Sequence, residues 1–135
     1  MCIRDRAGLV SITAEPLTPT LGAATLIGAV GGLIVVFSVP MLDKFKIDDV
    51  VGAIPVHLFA GIWGTMVVPA TNGDASYVTQ FISIVIVGVF VCVMAGIAWT
   101  ILKSTMGIRV GEEEEISGLD VSELGMEAYP EFYKG

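Results

Sequence analysis

A chain of 135 residues with 54% hydrophobic and only 16% charged residues is too apolar for an ordinary soluble domain, where about a quarter of residues are charged. Fourteen acidic against seven basic residues, a formal net charge of −7, exclude a nucleic-acid binder, which needs clustered Lys and Arg. The acidic surplus is concentrated from Glu112 onward, while residues 20–105 carry very few charges.

In chain order, "MCIRDR" at 1–6 lacks the uninterrupted apolar core of a secretory signal, and "AGLVSITA" then begins abruptly, as if mid-helix. Residues 1–6 are therefore expected to be a non-native leader. After "EPLTPT", punctuated by Pro16 and Pro19, come three long apolar segments, at about 21–42, 50–70 and 81–102. Each has about the 20 residues that cross ~30 Å of hydrocarbon. The fold class expected is all-α integral membrane, with three transmembrane helices in a membrane domain over 7–106 and a tail over 107–135.

The connectors orient it. Lys44 and Lys46 lie in the first, "TNGDAS" at 71–76 has no Lys or Arg, and Lys103 and Arg109 follow the third segment. The positive-inside rule puts the first connector and the tail in the cytoplasm of a multi-pass cell (inner) membrane protein.

Small residues mark helix faces. Gly28 and Gly32 are four apart, with Ala24 a turn before and Gly31 alongside, spacing that lets membrane helices approach closely. In the second segment Ala53, His57, Gly61 and Thr65 recur every fourth residue, with Ala60 and Gly64 beside them. His57, the single histidine, is thus expected to project from a groove of small residues, a third to half way across the helix. The third segment carries Gly88, Cys92, Ala95, Gly96 and Trp99, the Trp as an interfacial anchor. Cys92 reads as a small packing residue, and Cys2 and Cys92 have neither metal nor disulfide spacing.

An ionisable residue at membrane depth usually faces a cavity or a partner. A neutral imidazole offers one donor and one acceptor, which suits a small polar neutral molecule or a proton hop. One histidine cannot build a zinc site, and no Ser–His–Asp or Cys–His arrangement is visible, so neither metal, cofactor nor enzyme activity is expected. Asp48 and Asp49 precede the second helix, where either can cap it and both complement its dipole. The tail mixes acidic residues with Ile116, Leu119, Val121, Leu124, Met126, Tyr129 and Phe132 around Gly118 and Gly125, more apolar content than a purely solvated tail. It reads as a segment docked on the cytoplasmic face.

Three stretches, "AGLVSITA", "DDVVGAIPVHLFAGIWGT" at 48–65 and "GIRVGEEEEISGLDVSELGMEAY" at 107–129, resemble in this order the C-terminal part of the ammonium transporter family, the Amt/Mep/Rh group. The resemblance implies a piece of an eleven-helix fold built of inverted halves, here the end of the eighth helix and helices nine to eleven. It implies a homotrimer with one pore per subunit, ammonium or ammonia as substrate, and His57 as one of two pore histidines that relay a proton. It also implies tail regulation through Gly118, Asp120, Gly125 and Tyr129, and a PII-type signalling protein as a partner at the cytoplasmic face. Departures from the family pattern are Val50 for a usual Pro, Leu58 for Gly after the histidine, Ala60 for Cys, and "LGM" at 124–126 for "HGE". The function expected is part of an ammonium channel or transporter, inactive as an isolated fragment. The alternatives are an ammonium sensor of the same fold and a stand-alone membrane adaptor.

Overall fold

The computed structural model describes residues 3–128. Among these residues the regular structure is helical: α1 (Ile3–Ile12), α2 (Leu21–Lys44), a π-helical turn (Ile54–Phe59) running directly into α3 (Ala60–Thr71), α4 (Tyr77–Thr105), α5 (Glu112–Ser117) and α6 (Leu119–Leu124). α2, the continuous helix Ile54–Thr71 and α4 are long and apolar enough to cross a membrane. α1 runs unbroken from Ile3 across the boundary expected at residue 6. The chain forms two compact units divided within α4, between Val89 and Phe90.

In the first unit, α1, α2 and α3 meet through small residues, because lipid gives no hydrophobic drive between helices and close backbone approach supplies the contact instead. Ala7, Val35, Val56 and Ala60 form the core, flanked by Val10 and Val39. Gly8 and Gly28 face one another, so that a Cβ on Gly28 would sit 3.6 Å from the Gly8 carbonyl oxygen. Ser11, buried, fits between Gly31 and Gly64: a Cβ on Gly64 would come 2.5 Å from the Ser11 carbonyl oxygen. The Ser11 hydroxyl donates within its own helix to Ala7 O at 2.8 Å and lies 3.5 Å from Ala60 O of α3. Trp63 Nε1 donates to Ile27 O at 3.1 Å, joining α3 to α2. Asn72 Nδ2 donates to Glu15 Oε2 at 3.1 Å.

This packing corrects the expected pairing of Gly28 with Gly32. The buried series of α2 is Ile27, Gly31, Val35, Ser38 and Leu42, with Gly28 at its edge. Gly32 is rotated ~100° from Gly31, and a Cβ there would meet nothing. The sequence marked the right turn of the helix and the wrong one of two adjacent glycines.

α4 extends the expected 81–102 at both ends. No α4 residue is buried; Trp99 and Cys92 are exposed. Thr100, Ser104 and Thr105 return their hydroxyls to the carbonyls of Gly96 and Ile101, which removes those donors from the apolar surface.

In the second unit, two glycines make the tail's turns. Gly118, at φ 92°, closes α5 and opens α6, and Gly125, at φ 66°, ends α6 with its N–H on Val121 O and the next on Asp120 O. Both conformations favour glycine. Glu114 reaches back to the Gly111 N–H at 3.1 Å, and the run Glu112–Glu115 complements the positive end of the short α5.

Candidate functional site

The site expected from sequence is His57, and the chain before it explains how His57 is held. Gly52 takes φ 68°, turning the backbone so that the Asp49 side chain faces the start of the helix. Its two carboxylate oxygens accept from consecutive amides, Oδ1 from Ala53 N and Oδ2 from Ile54 N, both at 2.7 Å. Pro55 has no N–H to satisfy, and Val56 N donates to Gly52 O at 3.1 Å. Every amide from Ala53 to Val56 is thus accounted for, a requirement for a helix that starts near hydrocarbon. The Asp49 cap borders a shallow indentation, with room for no more than about one water, lined by Val39, Leu42, Asp43, Gly52 and Pro55.

Asp48 is exposed, and among the described residues its carboxylate accepts no hydrogen bond, so the cap belongs to Asp49 alone. The helix begins at Ile54, four residues after the expected 50, because Asp49 and Gly52 fold the preceding residues into a turn. His57 therefore stands one turn from the start of the helix, not a third to half way along.

The first turn is π-helical: Ala60 N donates to Pro55 O, five residues back. Single π-turns inside α-helices recur at functional sites. In a regular α-helix, residues four apart drift by ~40°. The wider turn takes up that drift between Val56 and Ala60, and Val56, Ala60, Gly64 and Val68 are all buried, as is Gly52 just before the helix. This corrects the expected packing line. Ala53 and His57 are exposed, Gly61 and Thr65 are half-buried, and a Cβ on Gly61 would touch only Val10 Cγ1 at 3.9 Å. Of the two glycines expected to pack this helix, Gly64 does so and Gly61 lies beside the contact. His57 follows directly on the buried pair Pro55 and Val56 and projects to the surface, with Leu58, 51% exposed, next to it. Ala60, where the family pattern has Cys, is wholly buried.

Among the described residues no three His, Cys, Asp or Glu side chains come together to hold a metal. Sequence reasoning missed Ser11, the residue that locks three helices; the small-residue run Ala7, Gly8, Ser11 was its signal.

In the tail, Asp120 Oδ2 accepts from Ala128 N at 2.7 Å and Oδ1 from Val121 N at 3.0 Å. The Ala128 bond holds the Asp120 carboxyl below the usual carboxylate range. A Cβ on Gly118 would lie 2.6 Å from Asp120 Oδ1, at a φ of 92° that itself favours glycine. Arg109 forks onto Glu115, and that hydrogen bond, then the charge, raises the guanidinium further. Tyr129 lies outside the described residues.

Residues 6–129 match the Ammonium Transporter Family. The chain belongs to this family. It is 37% identical over 131 residues to ammonium transporter Amt1 of Haloferax mediterranei, covering 93% of this chain and 25% of that protein. It is 35% identical over 147 residues to Amt2 of Archaeoglobus fulgidus, covering 93% of this chain and 31% of the relative. An ammonium transporter of Bacillus subtilis is 33% identical over 139 residues, with 91% and 34% covered. The chain thus spans between a quarter and a third of the length of these curated relatives. Coverage sets the size of the matched piece, not its place along them, and the expected C-terminal placement gains nothing from it. Family membership, with three helices of membrane-crossing length and apolarity, makes this a multi-pass membrane protein.

Proposed function

We propose that this chain is part of an ammonium channel or transporter subunit, in which His57 faces the conduction path and hydrogen-bonds ammonia after ammonium has given up its proton. The observation that carries the reading is the surface position of a lone imidazole on a capped π-turn, anchored by the buried Pro55 and Val56 beside it. A residue so costly in lipid is sensible where it lines a polar path. Dividing ammonium into ammonia and a relayed proton avoids carrying a cation through the bilayer centre, at ~3 kcal/mol on insertion scales and ~10 or more in simulations.

The imidazole supplies one donor and one acceptor, half of a two-histidine relay. The relay's other half, the homotrimer and a PII-type partner at the cytoplasmic face follow from family resemblance. So does a cytoplasmic regulatory tail acting through Gly118, Asp120, Gly125 and Tyr129; the turn geometry of the first three supports a defined surface there. On this reading the isolated chain of 135 residues does not transport. Ammonium flux into proteoliposomes holding it alone would overturn that part.

The principal test is His57→Ala in the complete subunit, recorded as ammonium-evoked current. The expected result is a loss of proton-coupled current with normal amounts of protein in the membrane. Unchanged current and unchanged ammonium-over-methylammonium selectivity would remove His57 from the path.

A further inference from the structure

We propose that Asp49 is a positioning residue for His57, acting through the register of the π-turn. The inference rests on the reading of His57 as a path residue and adds a device that sets where its ring points. Four observations converge on it. The Asp49 carboxylate spends both oxygens on the adjacent amides of Ala53 and Ile54, each at 2.7 Å. Gly52, at φ 68°, supplies the backbone turn that brings this carboxylate back onto the helix. Pro55 contributes no N–H, so the first amide beyond the cap is that of Val56, already held by Gly52 O at 3.1 Å. The five-residue bond from Ala60 N to Pro55 O then spans His57.

The π-turn amounts to one extra residue in the helix. If it relaxed to α-helix, everything before Ala60 would slip by one position, a rotation of ~100° relative to the buried Ala60. His57 would leave its present heading, and a neighbour would replace it. Such a slip must be absorbed by the residues before the helix, and Asp49 is the group that ties them down. Val56 and Ala60 in the core hold one side of the turn, and Asp49 holds its start. The five-residue bond persists because both ends are fixed.

The test uses the complete subunit, comparing Asp49→Ala, Asp49→Asn, His57→Ala and the Asp49→Ala/His57→Ala double variant. Readouts are coupled current, the ammonium-to-methylammonium flux ratio and the amount of protein in the membrane. A misplaced relay group is expected to lower coupled current by about tenfold or more. Asp49→Asn should fall between Asp49→Ala and the unaltered protein, because it keeps one acceptor oxygen but puts an NH2 donor where the other oxygen accepts. The double variant should be no worse than His57→Ala, and Asp49→Ala should shift the flux ratio in the same direction as His57→Ala.

Normal current in Asp49→Ala, or independent multiplying losses in the double variant, would overturn the proposal. If His57→Ala itself keeps full current, the path reading fails first; if only His57→Ala loses it, the positioning role alone fails. Should Asp49→Ala not reach the membrane, the isosteric Asp49→Asn carries the same comparison. Failure of both to assemble would make Asp49 a folding residue and also end the proposal.

Discussion

α2 and α4 look alike as sequences and differ as structures. Their most apolar windows have mean hydropathies of 2.2 and 2.8, and each carries small residues at four-residue spacing, Gly28 and Gly32 in one, Gly88, Cys92 and Gly96 in the other. Yet α2 buries Ile27, Gly31, Val35, Ser38 and Leu42, whereas α4 buries nothing. Small residues permit close approach without dictating it. What turned one of the two stripes into a contact was a partner of matching shape, the Ala7–Gly8–Ser11 face of α1. The same contrast holds within α2, where Gly31 is filled by Ser11 and Gly32 looks into open space.

The sharpest way to break this comparison is a methyl group placed on each kind of glycine. Gly64→Ala drives a Cβ against the backbone of Ser11, which a side-chain rotation cannot relieve, and should lower stability by about 1–3 kcal/mol or more. Thermal unfolding in detergent reads it, and Gly96→Ala in α4, with open space around it, should leave the midpoint unchanged or slightly higher. Equal losses at the two positions would mean that the Ser11 contact is not what distinguishes them. Gly31→Ala meets the Ser11 hydroxyl, which can rotate, and also Ser11 Cβ and Ala7 O, both at 2.9 Å, so a loss of about 1 kcal/mol or more is expected, below that of Gly64→Ala, with none for Gly32→Ala. Reversal of that order would restore the Gly28–Gly32 pairing. Next, Trp63→Phe keeps an aromatic ring and deletes the bond to Ile27 O; a decrease of about 0.5–1.5 kcal/mol in the same assay is expected.

The smallest effect lies in the tail. Because Asp120 is held below its ordinary range in the folded tail, its contribution is present above the usual carboxylate pKa and is lost as pH falls through the lowered value. Hydrogen exchange at the Ala128 amide should therefore show protection at neutral pH that fades in acid, and Asp120→Asn should weaken it throughout. Protection independent of pH would show that the carboxylate charge does not hold this turn.

Much of this was legible beforehand and some was not, for separable reasons. Composition and run length marked α2 closely, ending two residues short at 42, and the apolar part of α4. α4 continues through Thr79 and Gln80 at one end and Ser104 and Thr105 at the other, because the helix outlasts its apolar stretch. The start of the second span was misread since Val50 and Val51 are apolar but belong to the turn that Asp49 and Gly52 close. The π-turn left no mark in periodicity: with a uniform α-helix assumed, the lines through Val56 and through His57 were equally plausible, and only the α1 surface decides between them. The glycines of the tail were visible as residues, but their positive φ at 118 and 125 is a feature of the turns, which residue type alone does not assign.

The seating of Ser11 also has a clock in it. Its hydroxyl lies against Ala60, 49 residues later in the chain, and Glu15 meets Asn72 across 57. A ribosome adding about 5–20 residues per second needs roughly 2–10 s to make the stretch between Ser11 and Ala60. Within this chain α1 meets α2 first in that interval, through Gly8 with Gly28 and Ser11 with Gly31, before the α3 side of the Ser11 contact has been made. Of the contacts α1 makes within this chain, those with α2, Gly8–Gly28 among them, are therefore available seconds before those with α3.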